Sequence, residues 1–329
     1  LAKDATVIGI GESTHVTKLY NTSRQRLMRF LIHEMGYKAI VDEGDILVAE
    51  KLDAYINYRT DSIELYNKNK SEDDKVHIYG AEVRGFYAII QKLKSFSLSN
   101  NINPFLEKLT GNVGAGFKNL TRVDFAEIKK LADKWSAECN DPLCSYYLSL
   151  LNQQINFAFR QRFGSNDFNV RDNYMFENIR LVVSKTPGNK VIVLNHNGHL
   201  QKTKLLPNTS LGYLLNNFYG SKYFLIGTDF NKGDVTVYDP KTGGNKNLFF
   251  EDVDDKKAIE FYLKQCKYPN FLLPIRAASI NAVTASLINN KTKMTRFISA
   301  YGIINTDMVR ISDNYDLIVF FNDTNETEM

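Results

Sequence analysis

The residues in this chain best able to do chemistry are three histidines and two glutamates. His196 and His199 stand three positions apart in "NHNGH" (195–199), directly after an apolar run. His15 closes "GESTH" (11–15), with Glu12 three residues before it, and Glu43 sits inside "DEGD" (42–45). Imidazole changes charge near neutral pH, so a histidine can take a proton from a bound group while a nearby carboxylate fixes its tautomer and favours its protonated form. The same five side chains could also hold a divalent metal, although their spacing matches no closed tetrahedral zinc signature. Ser13, beside His15, is a conceivable nucleophile, but the chain lacks a Gly-x-Ser-x-Gly elbow. "GIGES" has neither the third glycine of a dinucleotide loop nor the end of a P-loop.

These residues are far apart in sequence, so the fold must gather them. "ATVIGIGE" (5–12), "YKAIVDEGD" (37–45) and "VHIYGAE" (76–82) are β-rich and end in polar residues, which suits buried strands of a parallel sheet. Between them "NTSRQRLMRFLIHEMG" (21–36) and "ILVAEKLDAYINY" (46–58) carry helical periodicity, and a further helix is predicted over 86–96. From 97 to 188 strand signals fade and three helical stretches follow, at 124–139, 143–163 and 169–185. Strand signals return at 190–195, 222–230, 234–239 and 316–321. The predicted fold is α/β: a mostly parallel sheet flanked by helices, with a helical insertion or cap over the cleft at the carboxyl ends of the strands. Residues 1–96 and 189–329 form its core and 97–188 the insertion.

Ligands bind outside the carboxyl ends of strands in open α/β sheets. "GESTH", "DEGD" and "NHNGH" all fall at such ends and should share one rim. His33, within a predicted helix, and His77, at the start of a strand, do not meet that criterion. Asp42 and Asp45 flank Glu43, and only alternate residues of a strand point to one side.

Composition narrows the partners. The 329 residues carry 41 basic and 37 acidic side chains, a formal charge of +4, with the two signs interspersed. That gives no electrostatic footprint for nucleic acid. No apolar run approaches the roughly 20 residues of a membrane helix. Cys139, Cys144 and Cys266 form no disulfide framework, though the first two are close enough in sequence for a bond. The chain starts at Leu1, which suggests a processed or trimmed start; compartment and oligomeric state stay open.

"IGIGESTH" (8–15), an arginine at position 24, "IVDEGD" (40–45), "VRDNYMFENI" (170–179), "VLNHNGHL" (193–200), "TSLGYLLNNFYGSKYFLIGTDF" (209–230) and "YDLIVF" near the end together resemble the erythromycin esterase family. The resemblance implies an α/β core with a helical portion over a cleft. It also implies hydrolysis of a carboxylic ester or lactone, of a macrolide in the characterised members, without a covalent intermediate. It assigns His15 the role of base that activates water, and places Glu12, Glu43, Arg24, His196 and His199 around the same site. His199 is implied to be needed for activity. The chain departs from the family at Val16, where glycine is usual, and at Leu194 or Asn195, where a tryptophan often precedes the histidine pair. It is also shorter in the helical region that should shape the substrate cleft.

The expectation is a small-molecule ester or lactone hydrolase. Its catalytic residues would be His15, Glu43, His199 and Glu12, with Arg24 and His196 contacting substrate or transition state. No cofactor and no structural metal are expected. Two alternatives remain open: a metal-dependent hydrolase using His15, Glu12, Glu43, His196 and His199, and a non-catalytic binding protein that retains the fold.

Overall fold

The computed structural model describes residues 1–15, 17–58, 70–96, 98, 120–164, 168–204, 208–239, 241–299, 302–303 and 308–325. Val16 and all of 97–119 except residue 98 lie outside the described residues.

The strands are β1 (Val7–Glu12), β2 (Ala39–Asp45), β3 (His77–Glu82), β4 (Val191–His196), β5 (Tyr223–Asp239), β6 (Gly244–Phe250), β7 (Asn270–Pro274), β8 (Lys291–Lys293), β9 (Met308–Arg310) and β10 (Leu317–Asp323). The helices that bear on the site are α1 (Lys18–Met35), α2 (Ile46–Tyr58), α3 (Tyr87–Leu93), α4 (Arg122–Glu138), α5 (Pro142–Phe163), α6 (Phe168–Lys185), the single turn α7 (Asn197–Leu200) and α8 (Leu211–Tyr219). The main sheet runs β3-β2-β4-β1-β5-β10-β7, parallel throughout except for β7. This is the mostly parallel α/β sheet flanked by helices that the strand and helix signals predict.

Strand order is what builds the site. β4, which follows the helical stretch in sequence, inserts between β1 and β2 and pairs in parallel with both. Glu12 is in register with His196 on one side, and Asp42 with Leu194 on the other. The histidine segment is therefore flanked by the glutamate segments of two strands. The strands are buried on both faces. Val7, Val41, Val191 and Val193 join an apolar cluster on one side, while Ile8, Ile10, Ile192 and Leu194 join another on the opposite side. Alternation along each strand then puts Glu12 and His196 on the α1 side of the sheet and Glu43 on the α6 side.

The helices differ in what they bury. α6 lies on the sheet, with Met175, Ile179 and Val183 repeating at i, i+4 in the cluster that contains Val41 and Val193. Asn178 ties it to the edge strand by donating to the Ala81 carbonyl at 2.9 Å. Helices α4 and α5 instead share a separate core with α2 and α3, built from Leu47, Ile90, Phe125, Trp135, Leu148 and Leu151 among others. The predicted insertion 97–188 thus contains one helix that belongs to the sheet's own layer.

The strand signals missed β6, β7, β8 and β9 and split β5 in two. The predicted strands 222–230 and 234–239 are one strand, β5, continuous through Gly233 at φ +112°. A side chain there would be strained and would meet Thr324 Oγ1 at 2.3 Å, so the bend depends on glycine. The second half of β5 pairs antiparallel with β6, whose "GNKNLFF" begins with four polar or small residues and shows no apolar alternation. Among the described residues, no helix is long and apolar enough to cross a membrane.

Candidate active site

Glu12 ends β1 as a buried carboxylate. Its Oε1 lies 2.7 Å from His15 Nδ1, and its Oε2 accepts from Arg24 Nη1. Burial pulls the His15 pKa down, but the hydrogen bond to Glu12 and the charges of Glu43 and Glu12 outweigh it, and the net shift is upward. The His15 side chain is 36% exposed, against 14% for His199, so it is the more open imidazole of the two. Nδ1 is committed to Glu12; among the described residues Nε2 has no hydrogen-bond partner.

Arg24, expected to face the cleft, lies behind Glu12 instead. It shares the buried face of α1 with Leu19, Tyr20 and Ser23, and its guanidinium bonds to the Glu12 carboxylate. The reason is helical phase: positions 20, 23 and 24 fall on one stripe, turned toward the sheet.

His196 is buried and both of its ring nitrogens are taken. Nδ1 accepts the Gly198 N–H at 3.1 Å, capping α7, and Nε2 donates to the Ile298 carbonyl at 2.6 Å, with the Ser13 carbonyl at 3.0 Å. These partners define a neutral Nε2–H tautomer. Burial, reinforced by the nearby His15 and His199, holds its pKa down to about 4. His196 packs against His15 with ring centroids 5.4 Å apart.

His199, on α7, is held on both sides by α6. Its Nδ1 donates to Asp172 Oδ1 and Oδ2 at 2.8 and 3.0 Å, while Nε2 accepts from Arg171 Nη1 at 2.8 Å. Burial lowers the His199 pKa, but the adjacent Asp172 and then Glu43 more than reverse that, so the net shift is upward. A proton on Nε2 would turn the Arg171 contact into donor against donor. His199 therefore gains a proton only as Arg171 moves off its ring. Asp172 is fixed in turn by the Leu211 N–H at 2.7 Å, the start of α8.

Glu43 joins the two halves. Oε1 accepts from Arg171 Nη2 at 2.6 Å and lies 3.8 Å from His199 Nε2, while Oε2 accepts the His196 N–H at 3.3 Å. Burial alone would raise its pKa, but His199, Arg171 and His15 hold it down to about 2. Arg171 also donates to Glu82, the last residue of β3, from Nε at 2.6 Å and from Nη2 at 3.1 Å. Asp45 caps α2 through the Leu47 and Val48 N–H groups. Asp42 is exposed and accepts from Gly44 N–H at 3.1 Å.

Ser13 is engaged in the floor of the site. Its Oγ donates to the Thr228 carbonyl at 2.5 Å and its N–H donates to Thr228 Oγ1 at 3.0 Å. Asn197 bridges the same carbonyl at 2.7 Å, and its Oδ1 sits where a Cβ on Gly11 would come within 2.1 Å. Gly11 is required for that approach. His33 is exposed on α1, and His77 pairs with Asp53 at 3.0 Å at the opposite, amino end of β3.

Glu12, His15, Glu43, His196 and His199 thus come together at the carboxyl ends of β1, β2 and β4. Arg171, Asp172 and Glu82 join them without having been singled out from the sequence. Glu82 obeys the strand-end criterion already applied to Glu12 and Glu43 and could have been found with it. Arg171 and Asp172 lie on a helix; their signal is the position of Arg171 one turn before the buried Met175. Among the described residues, no three His, Cys, Asp or Glu side chains are placed to hold a metal ion.

Comparisons with known proteins agree with this architecture. The family model for erythromycin esterase matches residues 152–324. Erythromycin esterase type II of Escherichia coli is 22% identical over 350 aligned positions, covering 87% of this chain and 80% of that protein. A succinoglycan biosynthesis protein of known crystal structure superposes with a TM-score of 0.80 at 19% identity, covering 97% of this chain and 88% of that one. A mutant of the erythromycin esterase EreC in its open conformation superposes at 0.73 with 17% identity, covering 98% and 92%. The fold, its rim of histidines and acids, and a family match spanning more than half of the sequence lead to one conclusion: this chain belongs to the erythromycin esterase family.

Proposed function

We propose that this protein hydrolyses a carboxylic ester or lactone with water activated by His15, without a covalent enzyme intermediate. The observation that carries this reading is the asymmetric His15 imidazole: Nδ1 is locked to Glu12 at 2.7 Å, while among the described residues Nε2 has no hydrogen-bond partner. Such a ring can take a proton from water on Nε2 and have the resulting charge stabilised by Glu12 and Glu43. Ser13 cannot serve as nucleophile without giving up its bonds to Thr228, which favours direct attack by water.

The second half of the reaction needs positive charge near the developing oxyanion and an acid for the departing oxygen. Arg171 is suited to the first task, as the cation beside Glu43, and His199 takes up the second once Arg171 swings from its Nε2 toward substrate and lets that nitrogen be protonated. In this reading Arg24 positions Glu12, and His196 shapes the rim through its bonds to the backbone of Gly198, Ile298 and Ser13. We also propose that α5 forms one wall of the substrate cleft. Gln153, Gln154 and Phe157 of that helix border a small cavity with Glu82, Arg171 and Tyr174.

The test is turnover. Purified protein is presented with a panel of alkyl, aryl and macrocyclic esters and lactones, in the presence and absence of a chelator. Release of carboxylic acid from at least one member, unchanged by chelation, is expected. Loss of turnover on chelation would move the reaction to metal-bound hydroxide. Tight binding of an apolar panel member with no turnover of any would make the chain a binding protein.

A further inference from the structure

Helices α4 and α5 meet at a corner carrying two cysteines. Cys139 is the C-cap of α4 and Cys144 lies in the first turn of α5. Asp141 between them caps α5, accepting the Leu143 and Cys144 N–H groups at 2.7 and 3.1 Å. This turn folds Cys139 back over the start of α5. Its Sγ lies 3.4 Å from the Asp141 carbonyl and 3.5 Å from the Oγ of Ser145, the residue next to Cys144, and the two thiols are near enough to perturb each other's ionisation.

We propose that Cys139 and Cys144 are a dithiol pair that closes into an intramolecular disulfide when a low-molecular-weight disulfide is present, stapling the end of α4 to the start of α5. The two thiols stand in unequal surroundings, as sequential exchange requires. Cys139 is half-buried and Cys144 is buried. Burial raises the Cys139 pKa, but hydrogen bonds from Cys144, Ser145 and the Asp141 backbone bring it below the ordinary thiol value; Cys144, buried and facing Cys139, is pushed up to about 12. Cys139 is therefore the attacking thiolate.

The exchange balances with glutathione disulfide as oxidant. Cys139 thiolate attacks one sulfur, the glutathione S–S bond breaks, and one glutathione thiolate leaves. Cys144 then attacks Cys139 Sγ, its proton passing to a departing glutathione, and the second glutathione is released. The two protein thiols lose two electrons and two protons, and glutathione disulfide is reduced to two thiols. The bond would pin the corner from which α5 runs to Gln153, Gln154 and Phe157 at the cavity beside Arg171.

The experiment incubates the folded, full chain with glutathione disulfide, then measures free thiols after denaturation together with intact mass. The expected result is a fall from three thiols to one, a mass lower by two hydrogens, no dimer on a non-reducing gel, and reversal by dithiothreitol. Cys266→Ser should go from two thiols to none, and Cys144→Ser should stop as a stable glutathione adduct on Cys139. A persistent glutathione adduct on Cys139 of the Cys266→Ser chain, a dimer linked through Cys139, or a Cys266→Ser chain that keeps both its thiols would each overturn the proposal.

Discussion

His15 and His199 each present Nδ1 to a carboxylate, Glu12 and Asp172, and each has an arginine close by, yet the arginines sit in opposite places. Arg24 lies behind Glu12 and holds the carboxylate from that side, which among the described residues leaves His15 Nε2 for a ligand. Arg171 lies in front of the imidazole and occupies His199 Nε2 while also holding Glu43 and Glu82. In the proposed mechanism, the carboxylate braced from behind supports a base. A guanidinium laid across the ring makes a cationic wall. Two pairings of similar composition are thus suited to opposite halves of a hydrolytic reaction.

The difference can be broken most severely at the arginines. Arg171→Met removes the cation shared by Glu43 and Glu82, of which Glu82 keeps Arg84, whereas Arg24→Met strands Glu12 alone. Removing one partner of a buried ion pair costs about 3–5 kcal/mol. Chemical denaturation should place Arg171→Met in that range and below Arg24→Met in stability. Equal losses would remove the distinction between the two arginines.

Next in size is the ring that stands between the pairs. His196 stays neutral to about pH 4 when folded but titrates near 6.5 when unfolded. A depressed histidine pKa means that the unfolded chain binds the proton first, so stability falls as pH drops from about 6.5 to about 4. The loss attributable to this group is about 3 kcal/mol. His196→Asn should be less stable than wild type at pH 8 and lose that acid slope, so the two curves converge toward pH 4. Parallel curves would contradict the assignment.

A smaller effect sharpens the role of Glu12. Part of the upward shift of His15 comes from its bond and charge, so Glu12→Gln should let His15 stay unprotonated to lower pH. The acid limb of kcat/KM should move to lower pH, and kcat should fall because the imidazolium loses its support. An unmoved limb would mean that His15 is not the group whose ionisation governs the rate.

How far these pairs could be read beforehand follows from their positions. Apolar runs ending in polar residues marked β1, β2 and β4, and so exposed Glu12, His15, Glu43 and the histidine pair as neighbours on one rim. The insertion of β4 between β1 and β2 was not legible, because strand order depends on crossover packing, for which no single segment carries a signal. Arg171 and Asp172 were visible only inside the helical stretch "VRDNYMFENI", where their orientation depends on Met175 and Ile179 docking on the sheet. The direction of Arg24 was available from the α1 stripe of Tyr20, Ser23 and Arg24, which reads as a buried face. β6 has almost no apolar alternation and owes its existence to pairing with the end of β5.

The central claim, that His15 rather than His199 activates water, is tested most directly by kcat of His15→Asn on the best substrate of the panel. Asparagine keeps similar size and some hydrogen bonding but cannot accept the proton, so kcat should fall by roughly 10²–10⁴-fold with KM little changed. A His15→Asn enzyme with the kcat of wild type would contradict the account.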